Sequence, residues 1–152
     1  MKRFVCFLTV CVILLGVGAG GSALATHVET PLDGMIGIDP HASRYLASYE
    51  AWTSRARTGG LLVEFSVSAT RQSPSVGAQQ IVVQQRNGNS WTTVRTFFSA
   101  ITSGMMGSNT HSHGGSVTFI GTPGREYRAL VTFFAGGATG DTRTFTTNST
   151  VL

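Results

Sequence analysis

The sequence predicts an all-β fold, an antiparallel β-sandwich of about seven strands. Short runs rich in Val, Ile, Phe, Tyr and Thr recur along the chain, and Gly, Ser, Asn and Pro separate them. No window carries apolar residues at the three- and four-residue spacing of an amphipathic helix. Residues 61–69 alternate apolar and polar side chains, as a half-buried strand does.

The first 25 residues have the order of a secretory signal peptide. Lys2 and Arg3 form a basic start, residues 4–17 are almost continuously apolar, and Ala23-Leu24-Ala25 matches an A-x-A cleavage site. Cleavage before Thr26 would release a secreted, extracellular protein with no stable membrane anchor. One alternative is an uncleaved anchor, which would need about 20 apolar residues.

The second alternative for this leader is a lipidated cysteine. Cys11 follows Leu8, Thr9 and Val10, but the residue before a lipidated cysteine should be small, and Val10 is not. Both cysteines, Cys6 and Cys11, lie within the leader, so the exported part would contain no disulfide. Its stability would then depend on burial of an apolar core.

The exported chain is predicted to contain one domain after a short entry segment. Residues 26–43 carry the turn signals Asp33-Gly34 and Asp39-Pro40, so we expect an exposed N-terminal segment there. Residues 44–152 are then a single β-sandwich domain, since the 127 residues that follow the leader suffice for one ordinary domain.

Charge does not indicate a polyanionic partner. The chain has 11 basic and 7 acidic side chains, and Lys2 and Arg3 would leave with the leader. The remaining arginines are spread along the chain, whereas nucleic-acid binders concentrate them in a stripe. We therefore expect no nucleic-acid partner, and no motif calls for a cofactor.

The strands of the first half follow from local patterns. Residues 44–57 are predicted to contain the first strand and residues 61–69 the second, and residues 71–77, with Ser73-Pro74, are predicted to form a loop. Residues 80–86 and 91–98 flank Asn87-Gly88, and Asn-Gly between two β-prone runs is the strongest local sign of a hairpin.

The second half is predicted with one ambiguous stretch. Residues 99–115 are polar and rich in glycine, and are either a mobile loop or a loop with one weak strand. A short strand follows at residues 117–120, a long apolar one at 127–135, and a last hairpin is completed by residues 141–151.

These motifs resemble the fibronectin type III and related immunoglobulin-like modules of secreted bacterial proteins. The likeness rests on residues 81–86, the Asn87-Gly88 turn, residues 91–94 with Trp91 leading, and Tyr127 opening a late strand. The chain is also similar to small single-domain secreted proteins of Gram-positive bacteria. Without a cysteine pair across the sheets, the fibronectin type is the closer match.

The resemblance implies structural roles and no catalytic residue. Tyr127 would act as a tyrosine corner, its hydroxyl bonded to backbone upstream. Trp91 is expected to cover one edge of the core beside the turn that contains Asn87 and Gly88.

Two groups of side chains could form a binding site. His111 and His113 would point to the same side of an extended segment and could ligate a metal, or they are simply solvated loop residues. Tyr49 and Trp52 could form a sugar-stacking or protein-contact platform if exposed, or they belong to the core.

The sequence favours a secreted, non-catalytic protein that binds a cell-envelope or extracellular ligand, a glycan or a protein, through its loops. No nucleophile elbow and no clustered carboxylate pair stands out. The alternatives are an antagonistic effector, bacteriocin-like or a toxin, that acts on a neighbouring cell's envelope, and a small metal-dependent enzyme centred on His111 and His113. The oligomeric state and the ligand's identity are open.

Overall fold

The computed structural model describes residues 43–152. The predicted leader and nearly all of the predicted entry segment, residues 26–43, lie outside the described residues. The described part of the chain forms seven strands and no helix, as the sequence predicts. The strands are β1 Leu46–Arg55, β2 Leu61–Asn87, β3 Ser90–Phe98, β4 Met106–Phe119, β5 Glu126–Gly136, β6 Gly140–Thr146 and β7 Thr150–Val151.

Strand β2 is the central strand of the fold, because four other strands pair with it, all of them antiparallel. Along one of its edges lies β1, opposite residues 61–69, and then β5, opposite residues 75–85. Along its other edge lie β4 and then β3. Strands β6 and β7 pair with β5, so all seven strands belong to one hydrogen-bonded sheet.

The sheet folds over because β2 is irregular near its middle. Between Ser68 and Ser73 the register with β4 shifts, and residues 70–72 are exposed. Extra residues of this kind bend a strand and increase its twist. We call the part built from β1, the start of β2 and the end of β4 the N-terminal layer. The part built from the end of β2 with β3, β5, β6 and β7 is the C-terminal layer.

The two layers pack face to face over one apolar core, in the manner of a sandwich. Phe65 of the N-terminal layer meets Phe133 of the C-terminal layer with ring centroids 6.2 Å apart. Phe119 and Tyr127 make a similar contact at 5.5 Å. Alternation along β2 and β5 supplies most of the filling, which consists of Leu61, Val63, Phe65, Val67, Ile81, Val83, Tyr127, Ala129, Val131 and Phe133, all nearly inaccessible to solvent.

Two loop predictions were wrong. Residues 71–77 do not form a loop but continue β2, since Ser73, Ser75 and Gly77 pair with β4. Residues 99–115 contain far more than a weak strand, because β4 begins at Met106 and runs without a break to Phe119, within the predicted strand at 117–120. Pairing with neighbouring strands overrides the local turn signals in both cases.

The remaining strands match their predictions closely. Strand β1 is shorter than the predicted 44–57, and the predicted hairpin around Asn87-Gly88 is present as β2 and β3. The predicted final strand at 141–151 is divided into β6 and β7 at Thr147, whose backbone and hydroxyl both bond to Ala129.

Candidate functional site

The structure does not bring Tyr49 and Trp52 together, because they lie on opposite faces of β1. Residues three apart in a strand point in opposite directions. Tyr49 faces inward, with its ring centroid 5.3 Å from that of Phe133 and 6.3 Å from that of Phe145. Trp52 faces outward and keeps 40% of its surface exposed. A shared platform of the two rings therefore does not form, and Trp52 alone presents an aromatic face.

A hydrogen bond orients the exposed indole. Trp52 Nε1 donates to Glu64 Oε2 at 2.9 Å, and the two residues are register partners on β1 and β2. Cross-strand partners on one face of a sheet have Cβ atoms only about 5 Å apart, so this contact follows directly from the register. The indole is thus held over the sheet, with its one polar hydrogen already satisfied.

Apart from Leu62, the side chains around Trp52 on the outer face of the N-terminal layer are small or polar. The cross-strand rows follow from the pairing of β1 and β4 with β2. We call this area the Trp52 surface, which comprises Ser48, Glu50, Trp52, Glu64, Ser66, Gly114 and Ser116. The β4 positions in these rows are Gly114 and Ser116, so β4 contributes no large side chain to them.

A shallow depression of about 180 Å³ on the N-terminal layer is lined by Ser48, Tyr49, Glu50 and Ser66, and Trp52 is not part of its lining. Pockets that enclose a drug-sized molecule measure about 300 to 1,000 Å³. The depression is therefore too small to enclose a ligand of that size. Glu50 and Glu64 make the area acidic, and hydroxyls and carboxylates offer hydrogen-bond acceptors.

The histidine pair lies in β4, where the two side chains have different surroundings. His113 is half-buried, with Nε2 2.9 Å from the carbonyl oxygen of Gly104 and its ring 6.1 Å from that of Phe65. His111 is exposed. Among residues 43–152, no group of three or more His, Cys, Asp or Glu side chains could hold a metal ion. His27 and His41 lie outside the described residues.

The Tyr127 hydroxyl links two segments of the chain by hydrogen bonds. It accepts the backbone N–H of Thr122 at 2.8 Å and donates to Gln85 Oε1 at 3.0 Å. The first bond reaches backbone five residues upstream, which is the form of a tyrosine corner. The side chain is only 1% exposed, so both bonds are shielded from water.

Trp91 does not cover the edge of the core. It pairs with Arg86 on the outer face of the C-terminal layer, and the guanidinium groups of Arg86 and Arg128 lie over its ring. In the turn beside it, Gly88 has φ +60° at the first central position of a two-residue loop, which suits a type II′ hairpin. Asn87 accepts a hydrogen bond from the Ser90 hydroxyl through its backbone oxygen.

Sequence reasoning missed two arrangements. It did not connect Glu64 with Trp52, although a hairpin between β1 and β2 with a five-residue connection places them opposite one another. It also did not connect Arg128 with Trp91, because these residues meet only through β2, which lies between their strands.

Comparison of the chain with protein-family models, with curated proteins and with solved structures found no significant match. Within the described part of the chain, no helix is long and apolar enough to cross a bilayer.

Proposed function

We propose that this chain is a secreted, non-catalytic β-sandwich protein that binds an extracellular or cell-envelope glycan on the Trp52 surface. The observation that carries the proposal is the exposed indole of Trp52, oriented by Glu64 over a face of small polar side chains. The proposal differs from the sequence-based one in placing the ligand on a sheet face and not on the loops.

The chemistry of a sugar ring fits this surface. A pyranose has a face of C–H groups that packs on an aromatic ring and a rim of hydroxyls that need hydrogen-bond partners. Trp52 supplies the ring, and Glu50 and Glu64 lie on adjacent strands within reach of the rim. An indole that is already fixed loses little conformational entropy when a ligand stacks on it.

A glycan suits the surface better than a protein partner does. The cores of protein–protein interfaces are depleted of charged residues, since a buried unpaired charge is costly. Here Glu50 and Glu64 flank the only large aromatic of the surface. Hydroxyl groups of a sugar can donate to both carboxylates while water still reaches them.

The experiment is a retention assay on insoluble glycans, with purified peptidoglycan sacculi, chitin and cellulose as the probes. We expect the intact protein to be retained by at least one of them, and Trp52→Ala to bind about tenfold more weakly, the size of effect seen when a stacking aromatic is removed. On the neutral glycans chitin and cellulose, Trp91→Phe is the control, because it changes the other tryptophan on the opposite layer and should leave retention on them unchanged.

Intrinsic fluorescence gives a second readout. The chain contains two tryptophans, so Trp91→Phe leaves Trp52 as the single reporter. Soluble oligosaccharides of the retaining glycan should change its emission in a saturable way. Retention that is equal for the intact protein and Trp52→Ala would refute the proposal, as would a lack of retention on all three glycans.

Export is part of the proposal and rests on the pattern of residues 1–25. Intact-mass measurement of the protein recovered from culture medium should give the mass of a chain that begins at Thr26. A cell-associated product that still carries Met1 would contradict export.

A further inference from the structure

Two guanidinium groups lie over the ring of Trp91 on the outer face of the C-terminal layer. The Cζ atom of Arg128 is 4.3 Å from the centre of this ring, and that of Arg86 is 5.5 Å away. The three residues come from β5, β2 and β3, which are adjacent in the sheet. We call Arg86 and Arg128 the arginine pair.

Each guanidinium of the arginine pair is oriented through its Nε atom. Arg128 Nε donates to Gln84 Oε1 at 3.0 Å, and Arg86 Nε donates to the Gly88 carbonyl oxygen at 3.0 Å. The terminal nitrogens carry four of the five N–H donors of a guanidinium. No hydrogen bond among residues 43–152 uses the terminal nitrogens of Arg128, so a fixed fork of donors is available there.

Among residues 43–152, Glu126 is the one carboxylate within ion-pair distance of the arginine pair, and it is only partly available to it. Glu126 Oε2 lies 3.8 Å from Arg86 Nη1, beyond hydrogen-bond distance, and Glu126 Oε1 accepts a hydrogen bond from the Ser149 hydroxyl at 2.6 Å. Two positive charges therefore face one partly engaged negative charge. Burial, and after it the positive charge of Arg86, lower the pKa of the Arg128 guanidinium, and an added anion would offset that repulsion.

We propose that the arginine pair, stacked on Trp91, binds an oxyanion group of an extracellular anionic polymer. Guanidinium forks match the two oxygens of a carboxylate or a phosphodiester, and their stacking on an indole keeps them in place. The carboxylate of a uronic acid and the phosphodiester of a polyol phosphate share this chemistry. The site is on the opposite layer from the Trp52 surface and does not depend on it.

The test uses Trp91 as the reporter, in a full chain carrying Trp52→Phe. Oligogalacturonate supplies carboxylates, and a glycerol phosphate oligomer supplies phosphodiesters. We expect a saturable change of Trp91 fluorescence with at least one probe at low ionic strength, weakened by added salt because the groups are partly exposed. The arm that responds identifies which oxyanion is bound.

Substitutions separate a built site from general electrostatic attraction. Arg128→Gln should weaken binding about tenfold, because it removes the oriented fork. Arg128→Lys keeps the charge without the fork, and should also weaken binding. Arg57→Gln is the matched control, since it removes one positive charge from the exposed turn after β1 and should leave the affinity within about twofold of the intact value.

Two results would overturn the proposal. One is the absence of a saturable change with both probes, and the other is an equal loss for Arg57→Gln and Arg128→Gln. Circular dichroism checks that the variants fold, and Arg86→Gln replaces Arg128→Gln if the latter does not. Retention on neutral chitin or cellulose tests the Trp52 surface, and the fluorescence titration of Trp91 with anionic probes tests the arginine pair. Failure of one site can therefore be distinguished from failure of the other.

Discussion

The side-chain amide of Asn148 pairs with both backbone groups of Thr53. Thr53 N–H donates to Asn148 Oδ1 at 2.9 Å, and Asn148 Nδ2 donates to the Thr53 carbonyl oxygen at 3.0 Å. The amide thereby supplies to the outer edge of β1 the bonds that a further strand would supply. Thr53 is only 4% exposed, so these backbone groups have little access to water.

Replacing Asn148 with Ala should lower the free energy of unfolding by about 1 to 3 kcal/mol, the usual cost of leaving a buried donor unpaired. The unpaired donor is the Thr53 N–H, since the Thr53 carbonyl oxygen keeps a bond from the Thr150 hydroxyl at 3.0 Å. Asn148→Asp should lower the free energy of unfolding less, because a carboxylate can still accept from Thr53 N–H although it cannot donate to the Thr53 carbonyl oxygen. Urea unfolding followed by tryptophan fluorescence measures both. Asn89→Ala, in the exposed β2–β3 turn, is the control and should change stability by less than about 0.5 kcal/mol.

Low pH should weaken a second set of hydrogen bonds, which lies just before β1. The Asp141 carboxylate accepts hydrogen bonds from the Ser43 hydroxyl at 2.5 Å and from the Tyr45 N–H at 2.7 Å. These two bonds, the Ser43 one first, lower the pKa of Asp141 from its ordinary value near 3.8. A carboxyl whose pKa is lower in the folded state stabilises that state above the unfolded pKa, and the contribution is lost as pH falls through the folded pKa.

We therefore expect Asp141→Ala to be less stable than the intact protein at neutral pH, with the difference shrinking below about pH 4. Unfolding free energies measured from pH 7 down to pH 2 test this. Glu50→Ala is the matched control, since its carboxylate has no hydrogen-bond partner among residues 43–152, and its difference from the intact protein should not follow that course. A constant Asp141→Ala difference across the range would show that the bonds do not depend on the charge.

Local sequence patterns were enough to predict the strands and turns in which the order of apolar and polar residues reflects which side chains are buried. Residues 61–69 alternate because one face of β2 is in the core, and the Asn87-Gly88 turn is determined by four adjacent residues. Residues 71–77 and 106–115 were misjudged because neither run alternates. Their extended conformation is imposed by pairing between β2 and β4, which no local window contains.

The candidate site was predicted only as far as strand geometry allows. An exposed Trp52 was one of two alternatives, and the strand period, applied to Tyr49 and Trp52, would already have separated their faces. Predicting the contact of Glu64 with Trp52 required the register of the β1–β2 hairpin. In the connection between these strands, Gly59 has φ +87°. Predicting that Arg86 and Arg128 lie together over Trp91 required knowing that β5 and β3 lie on opposite edges of β2.

A methyl group at Gly77 should destabilise the fold because it would overlap neighbouring backbone atoms. A Cβ there would overlap the carbonyl oxygen of Met105 and lie 2.8 Å from the Met106 Cα, and both of these are backbone atoms that cannot turn aside. Met105 is itself fully buried, and its carbonyl accepts the N–H of Ala78 at 2.8 Å.

Gly77→Ala is accordingly expected to cost about 1 to 3 kcal/mol or more, as overpacking of a core does. Gly114→Ala is the comparison, because its nearest contact would be 3.3 Å, to the Phe65 carbonyl oxygen. The thermal midpoint should fall clearly for Gly77→Ala and less for Gly114→Ala. Equal midpoints for the two variants would show that β2 can shift away from Met105.

The hydroxyl of Tyr127 should matter more than its exposed counterpart on Tyr45. Tyr127→Phe keeps the ring against Phe119 but leaves the Thr122 N–H and the side-chain Oε1 of Gln85 without this partner. The expected loss is about 1 to 3 kcal/mol, because the hydroxyl is buried and bridges two chain segments. Tyr45→Phe removes a hydroxyl that lies 3.2 Å from the Thr139 hydroxyl in an exposed position, and should cost less than about 0.5 kcal/mol. Urea unfolding of both variants decides the matter: similar losses would mean that Tyr127 contributes through its ring and not through the bond to backbone upstream.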